Sequence, residues 1–212
     1  MKITRVTGTW LRVPLPEAGQ HVSDFGRQLS FDTVLVRVYT DAGIVGVGEA
    51  KGALPSQAQC FAVRAAIEQE FAPMLVGQDP RDISRLWDTM YNDTRAHFAL
   101  ARGHVFPGLG RRGVNVQAIS GIDMALWDIL GKSLGAPVWR LLGGRRQAKM
   151  PAYASGGWAP PDRIAAQLQD YIDRGGFRAV KMRVGSADGT VAMSVRRVKA
   201  AREGLEIGRA HV

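Results

Sequence analysis

Beyond residue 150 the chain repeats one pattern: a short apolar run, a helical stretch, then both again. Residues 150–155 (MPAYAS) and 177–184 (FRAVKMRV) have strand length and β-favouring content. Between them, 161–174 puts Ile164, Leu168, Tyr171 and Ile172 on one helical face, and Gly175 stops the pattern. After the second run, Asp188 or Thr190 caps a helix carrying Val191, Val195 and Val198. Strand, helix, strand, helix on short joints reads as the start of a parallel β/α repeat.

The first 50 residues read differently. Ile3, Val6 and Leu11 sit in β-favouring company, and a polar loop spans 16–30. Residues 31–40 (FDTVLVRVYT) alternate, with Val34, Val36 and Val38 on one side and Leu35, Arg37 and Tyr39 on the other. Asp41, Ala42 and Gly43 form a tight turn, and 44–50 (IVGVGEA) return as the partner strand of an antiparallel meander. Helices follow. Ser56 and Gln59 have capping-box spacing ahead of Phe61, Ala65 and Phe71, in a helix that runs to about Leu75. Asp79 and Pro80 open a second helix whose buried stripe is Ile83, Leu86, Trp87 and Met90. After a glycine-rich stretch at 102–113, the strongest helix covers 116–134, with Ile119, Ile122, Leu126, Ile129 and Leu130 on one face. Gly135 caps it and Pro137 prevents its continuation. The chain therefore reads as an α+β domain over 1–135 (antiparallel meander plus helices), then the first two β/α units of a barrel over 136–205.

Of the 212 residues, 46% are hydrophobic, enough for a real core. No apolar run reaches the roughly 18 residues of a membrane span, and the N-terminus lacks the apolar core of a signal peptide. The single cysteine, Cys60, can form no intrachain disulfide and reads as a packed helix residue, in keeping with a reducing cytoplasm. The net charge of +9 comes mostly from scattered arginines with no basic stripe, which argues against a nucleic-acid partner. His97 and His104 read as surface residues, Asp123 and Asp128 as structural hydrogen-bonding groups, and Glu49 as no metal ligand.

Two stretches carry a family resemblance. Residues 40–50 (TDAGIVGVGEA) resemble the T-D-x-G-x-x-G-x-G-E hairpin of the mandelate racemase/muconate lactonizing group of the enolase superfamily. Residues 118–144 (AISGIDMALWDILGKSLGAPVWRLLGG) are similar to that group's helix leading into its barrel. The resemblance covers about 1–204. It implies a capping domain on a modified (β/α) barrel, with the active site at the carboxyl ends of the strands. It implies removal of the proton next to a carboxylate, with Mg²⁺ stabilising the enediolate; a Lys or His base with Mg²⁺ is the general pattern for this superfamily. It also implies a small carboxylate substrate, such as an acid sugar, and a homo-oligomer.

In the group, the second barrel strand ends in Lys-x-Lys; here those positions read Lys181, Met182 and Arg183. Alternation puts Lys181 and Arg183 on one face, where two cations in a partly dry pocket depress each other's pKa. Arginine stays protonated, so Arg183 suits carboxylate binding or enediolate stabilisation, while Lys181 has the choice of that role or proton transfer. The resemblance also assigns the loop 19–27 and the segment 51–56 to the closure over substrate, making His21, Ser23 and Asp24 contact candidates. The metal ligands of the group lie on later strands, so none is assigned here. Residues 206–212 (EIGRAHV) show no barrel pattern, and 207–212 match the translation of a common sequencing-adapter read. A truncated chain with a non-native tail, inactive alone and frayed at its open barrel edges, is the expectation. The activity expected of the whole enzyme is acid-sugar dehydration by a hydro-lyase. A racemase, epimerase or cycloisomerase of the same group is the alternative, and a non-catalytic interaction fragment is the third reading.

Overall fold

The computed structural model describes residues 1–20, 22–23, 26–51, 57–104, 111–185 and 188–205, with backbone alone at 18, 22–23, 26 and 93–97. Strands in chain order are β1 (Ile3–Pro14), β2 (Val22–Ser23), β3 (Gly26–Arg27), β4 (Ser30–Thr40), β5 (Val45–Ala50), β6 (Ala154–Gly156) and β7 (Val180–Met182). The helices are α1 (Gln57–Ala65), α2 (Ala72–Leu75), α3 (Ile83–Leu100), α4 (Val114–Leu134), α5 (Val138–Leu141), α6 (Pro161–Gly175) and α7 (Val191–Gly204). Two compact units result: residues 1–15 with 30–145, and residues 16–29 with 146–212. The sequence places its boundary after 135, whereas α5 stays with the first unit, tied by the Ala136 N–H to the Gly131 carbonyl at the α4 end. None of the helices described is long and apolar enough to cross a membrane.

In the first unit β1, β4 and β5 form an antiparallel sheet in the order β1-β4-β5. Alternation along β4 is as expected: Val34, Val36 and Val38 are fully buried, facing the helices, while Leu35, Arg37 and Tyr39 are half-buried on the other face. Gly43, at φ 74°, makes the turn into β5, and its N–H donates to the Thr40 carbonyl. The α4 helix lies directly on β5. A Cβ on Gly46 would meet the Ala125 carbonyl oxygen at 2.1 Å, so only glycine permits this approach. Gly46 and Gly48 of the 40–50 stretch are therefore packing residues, while Gly43 serves the turn. Asp128 accepts the Val47 N–H at 2.8 Å, and Lys132 reaches the Val45 carbonyl at 2.7 Å, so α4 covers the open edge of β5.

The helices correct several expectations. Residues 57–75 are continuously helical, but Phe61 is 46% exposed and Ala65 also faces solvent. A π-helical turn over Ala66–Phe71 adds a residue to the winding ahead of Pro73, whose ring cannot donate to the carbonyl four residues back. The buried face is instead Cys60, Val63, Ile67, Phe71 and Leu75. Ser56 of the expected capping box lies outside the described residues. The Asp79-Pro80 helix start is also corrected: α3 begins at Ile83, because the Asp79 carboxylate is spent on the backbone N–H and guanidinium of Arg81 in a turn. Trp87 is 40% exposed and stacks on Tyr91, while Ile83, Leu86 and Met90 are buried as expected. The α4 helix starts two residues early, ends at Gly135 in the left-handed conformation, and leaves Leu130 half-buried.

In the second unit β6 and β7 pair in parallel, Ala154 to Val180 and Gly156 to Met182, with α6 and α7 packed together. Both strands are shorter than the expected 150–155 and 177–184. Each has a single partner strand among the described residues, so the ladder ends after three pairs. Ile164 and Leu168 are buried as expected, and Gly176 rather than Gly175 takes the left-handed helix end. Thr190 is the cap of α7, its hydroxyl accepting the Met193 N–H. The expected helix carries Val191 and Val195 on its exposed side, and its buried face is Arg197 and Ala201. The expected polar loop 16–30 contains the small β2–β3 hairpin. An antiparallel α+β domain followed by two parallel β/α units is the architecture.

Candidate functional site

Side-chain alternation sets the faces of β7. Val180 and Met182 pack against the Ile164–Leu168 cluster beneath α6 and α7. Lys181 therefore points to the face away from the helices, beside Ser155 of β6 across the ladder, and both are exposed. Arg183 follows the strand, also exposed, with its guanidinium 5.9 Å from the ring centre of Trp158. Trp158 lies just past the carboxyl end of β6. The two sequence candidates Lys181 and Arg183 thus share the carboxyl end of a parallel strand inside a β/α repeat. The partly dry pocket expected around them is not formed by the described residues.

Beneath these strand ends is a buried ion pair that the sequence reading did not single out. Arg197 of α7 and Asp188 meet at 2.5 Å with both side chains 6% exposed. The same guanidinium donates to the carbonyls of Gly157 at 2.6 Å, Ala159 at 3.0 Å and Arg183 at 3.0 Å. Burial works to raise the Asp188 carboxyl, but hydrogen bonds from Ser194 and Arg197, a bond from the Gly185 N–H and the Arg197 charge hold it below the usual carboxylate range. Gln167 of α6 adds its Oε1, which accepts the N–H groups of Trp158 and Ala159. A signal for Arg197 does exist in the sequence: it sits four residues from both Met193 and Ala201, on one helix face.

Of the loop candidates, His21 and Asp24 lie outside the described residues. Ser23 pairs with Gly26 in the β2–β3 hairpin, by backbone alone. Among 51–56 only Lys51 is described, and it is exposed. A shallow hollow of about 460 Å³ is lined by Tyr153, Ser155, Tyr171, Arg174 and Phe177, but by neither Lys181 nor Arg183. Among the described residues no group of three or more His, Cys, Asp or Glu side chains could hold a metal ion. The described residues therefore do not make up a Mg²⁺ site. Asp123 has its carboxyl raised by burial on α4, in the first unit. Asp128 is structural, bonded to β5 and to Lys132, and Glu49 accepts from Thr33 across the sheet.

The sequence model of the N-terminal domain of mandelate racemase/muconate lactonizing enzyme matches residues 10–143. D-galactarolactone cycloisomerase of Agrobacterium fabrum is 36% identical over 81% of this chain and 41% of its own length. D-galactonate dehydratase of Verminephrobacter eiseniae is 41% identical over 66% of this chain and 30% of its own. A solved member of the enolase superfamily from Polaromonas sp. JS666 is 34% identical, with a TM-score of 0.77 over 97% of this chain and 50% of that one. A mandelate racemase/muconate lactonizing protein from Paracoccus denitrificans, solved with magnesium, is 26% identical, with a TM-score of 0.68 over 95% of this chain and 48% of that one. The chain thus spans about half, or less, of the length of these relatives. Its match over 10–143 and its antiparallel sheet leading into parallel β/α units place the chain in the mandelate racemase/muconate lactonizing enzyme family of the enolase superfamily.

Proposed function

We propose that the whole enzyme removes the proton next to a carboxylate and expels the β-hydroxyl group, acting as an acid-sugar dehydratase. The observation that carries this reading is Lys181 on the helix-free face of β7 with exposed Arg183 just past it, together at the carboxyl end of a parallel strand. That end of such strands is where β/α barrels do chemistry. Arg183 holds the substrate carboxylate and offsets the negative charge that grows on it as the proton leaves, since a guanidinium does not act as a base. Lys181 moves the proton or shares the carboxylate. His21, Ser23 and Asp24 contact the substrate from the loop 19–27. Mg²⁺ is the proposed cofactor, supported by the magnesium-bound relative, but no step is assigned to it because the described residues form no metal site. Alone, the 212-residue chain is expected to turn over no acid sugar.

The similarity to a galactarolactone cycloisomerase favours one second reading, ring opening or closing of a sugar lactone through the same proton abstraction. Incubating the full-length enzyme with a library of acid sugars and lactones separates the two. Accumulation of a 2-keto acid, lost with EDTA and restored by Mg²⁺, supports dehydration. Lactone consumption without keto-acid formation supports cycloisomerisation. No turnover of any member sinks both.

A further inference from the structure

Carbonyl oxygens repel one another, so three of them gather around one point only when a donor group holds them there. The carbonyls of Gly157 and Ala159, past the end of β6, and of Arg183, past the end of β7, all accept from the single guanidinium of Arg197. A planar fork of five N–H donors suits this task, whereas a lysine ammonium offers only three donors at one point. Asp188 supplies the countercharge at 2.5 Å and is itself bonded by the Ser194 hydroxyl at 2.5 Å. With 5% of its surface exposed, Arg197 points into the fold rather than toward solvent, so it does not face the substrate side.

Two of these bonds bracket Trp158, one on each side along the chain. Gln167 Oε1 holds the Trp158 N–H at 2.9 Å and the Ala159 N–H at 3.0 Å. The indole that Arg183 overlies is thus fixed by backbone bonds before and after it. Arg183 has its own carbonyl on the same guanidinium. We infer that Arg197 is a positioning residue, setting the distance between the ends of the two parallel strands and holding the Arg183 guanidinium over the face of Trp158. Its meaning for catalysis rests on the proposed role of Arg183 as the carboxylate-binding group. The placement itself does not.

The test uses the full 212-residue chain labelled with 5-fluorotryptophan, with each of its five tryptophan fluorine lines assigned by Trp→Phe replacement. Arg183→Met is expected to move the Trp158 line in the otherwise unaltered chain. In an Arg197→Lys background the Trp158 line shifts or broadens and the response to Arg183→Met is lost, while the Trp10 line stays in place. A purely stabilising residue would leave that response intact in the folded protein. Should Arg197→Lys unfold the second unit, Asp188→Asn decides: a reduced response to Arg183→Met supports the inference, and an unchanged one overturns it. The inference is also overturned if Trp158 ignores Arg183→Met from the start, or keeps its full response with Lys at 197. Titration with D-galactonate is the separate arm. In the full-length enzyme with Mg²⁺, a Trp158 line that never moves with this carboxylate counts against the proposed role of Arg183, whatever Arg197 does.

Discussion

A Cβ added to Gly48 would lie 2.0 Å from the carbonyl oxygen of Gly121. Helix α4 and strand β5 touch backbone to backbone, which no side chain between them could allow. Gly48→Ala is therefore expected to destabilise the first unit by about 3 kcal/mol, the upper part of the overpacking range, because backbone cannot step aside as a side chain can. Gly43→Ala, in open space at φ 74°, is expected to cost about 1 kcal/mol from its left-handed backbone. Urea midpoints of the two variants check this order, and equal midpoints would refute the close-approach account.

Asp128 and Lys132 hold the exposed edge of β5 by its Val47 N–H and Val45 carbonyl. Asp128→Ala should cost about 1 kcal/mol, since both side chains are partly solvated. Hydrogen exchange at the Val47 amide should quicken, with the β1–β4 amides unchanged. An unaltered Val47 rate would show that α4 covers the edge without bonding it.

Cys60 is 1% exposed, and burial first, then the nearby Asp32 charge, raises its thiol above the usual value. The thiolate is the reactive form, so native Cys60 should resist an aromatic disulfide reagent at neutral pH. Reaction should appear only as urea opens the first unit, with the same midpoint as circular dichroism. Prompt labelling of the folded chain would contradict this packing.

Asp188 lies below the usual carboxylate range in the folded state. A carboxyl of this kind stabilises the fold in full above its unfolded value of about 3.9, and that contribution fades as pH falls through the folded value. The second unit is expected to weaken on acidification below about pH 4, and Asp188→Asn to flatten that part of the profile. Arg197→Met, which strands a buried carboxylate, should cost about 3–5 kcal/mol near neutral pH. Urea midpoints against pH, read on the Trp158 fluorine line, give both results; an identical acid slope in Asp188→Asn would disprove the assignment.

Short-range periodicity made much of the fold legible. Val34, Val36 and Val38 alternate because a pleated strand sends every second side chain inward, and Gly135 ends α4 because the left-handed end costs it nothing. Helical spacing alone does not fix which face is inside: Trp87, read as part of a buried stripe, is 40% exposed, and Phe61, Val191 and Val195 lie on the solvent side of their helices. An apolar residue at helical spacing faces the core only if the helix phase is right, and in α7 a buried arginine takes the inward face. Asp79 was misread because its carboxylate had a closer donor in Arg81.

Sequence alone determined the order of the two folding patterns, the turn at Gly43 and the Gly135 cap, and the two cations at the end of β7, because each depends on neighbours a few residues apart. Only the tertiary structure decided what those cations rest on. The Arg197 fork joins carbonyls 38 and 40 residues away in the chain to one 14 residues away, and no local spacing encodes such a meeting. It forms because a buried guanidinium must find acceptors, and the converging strand ends are where unpaired carbonyls gather.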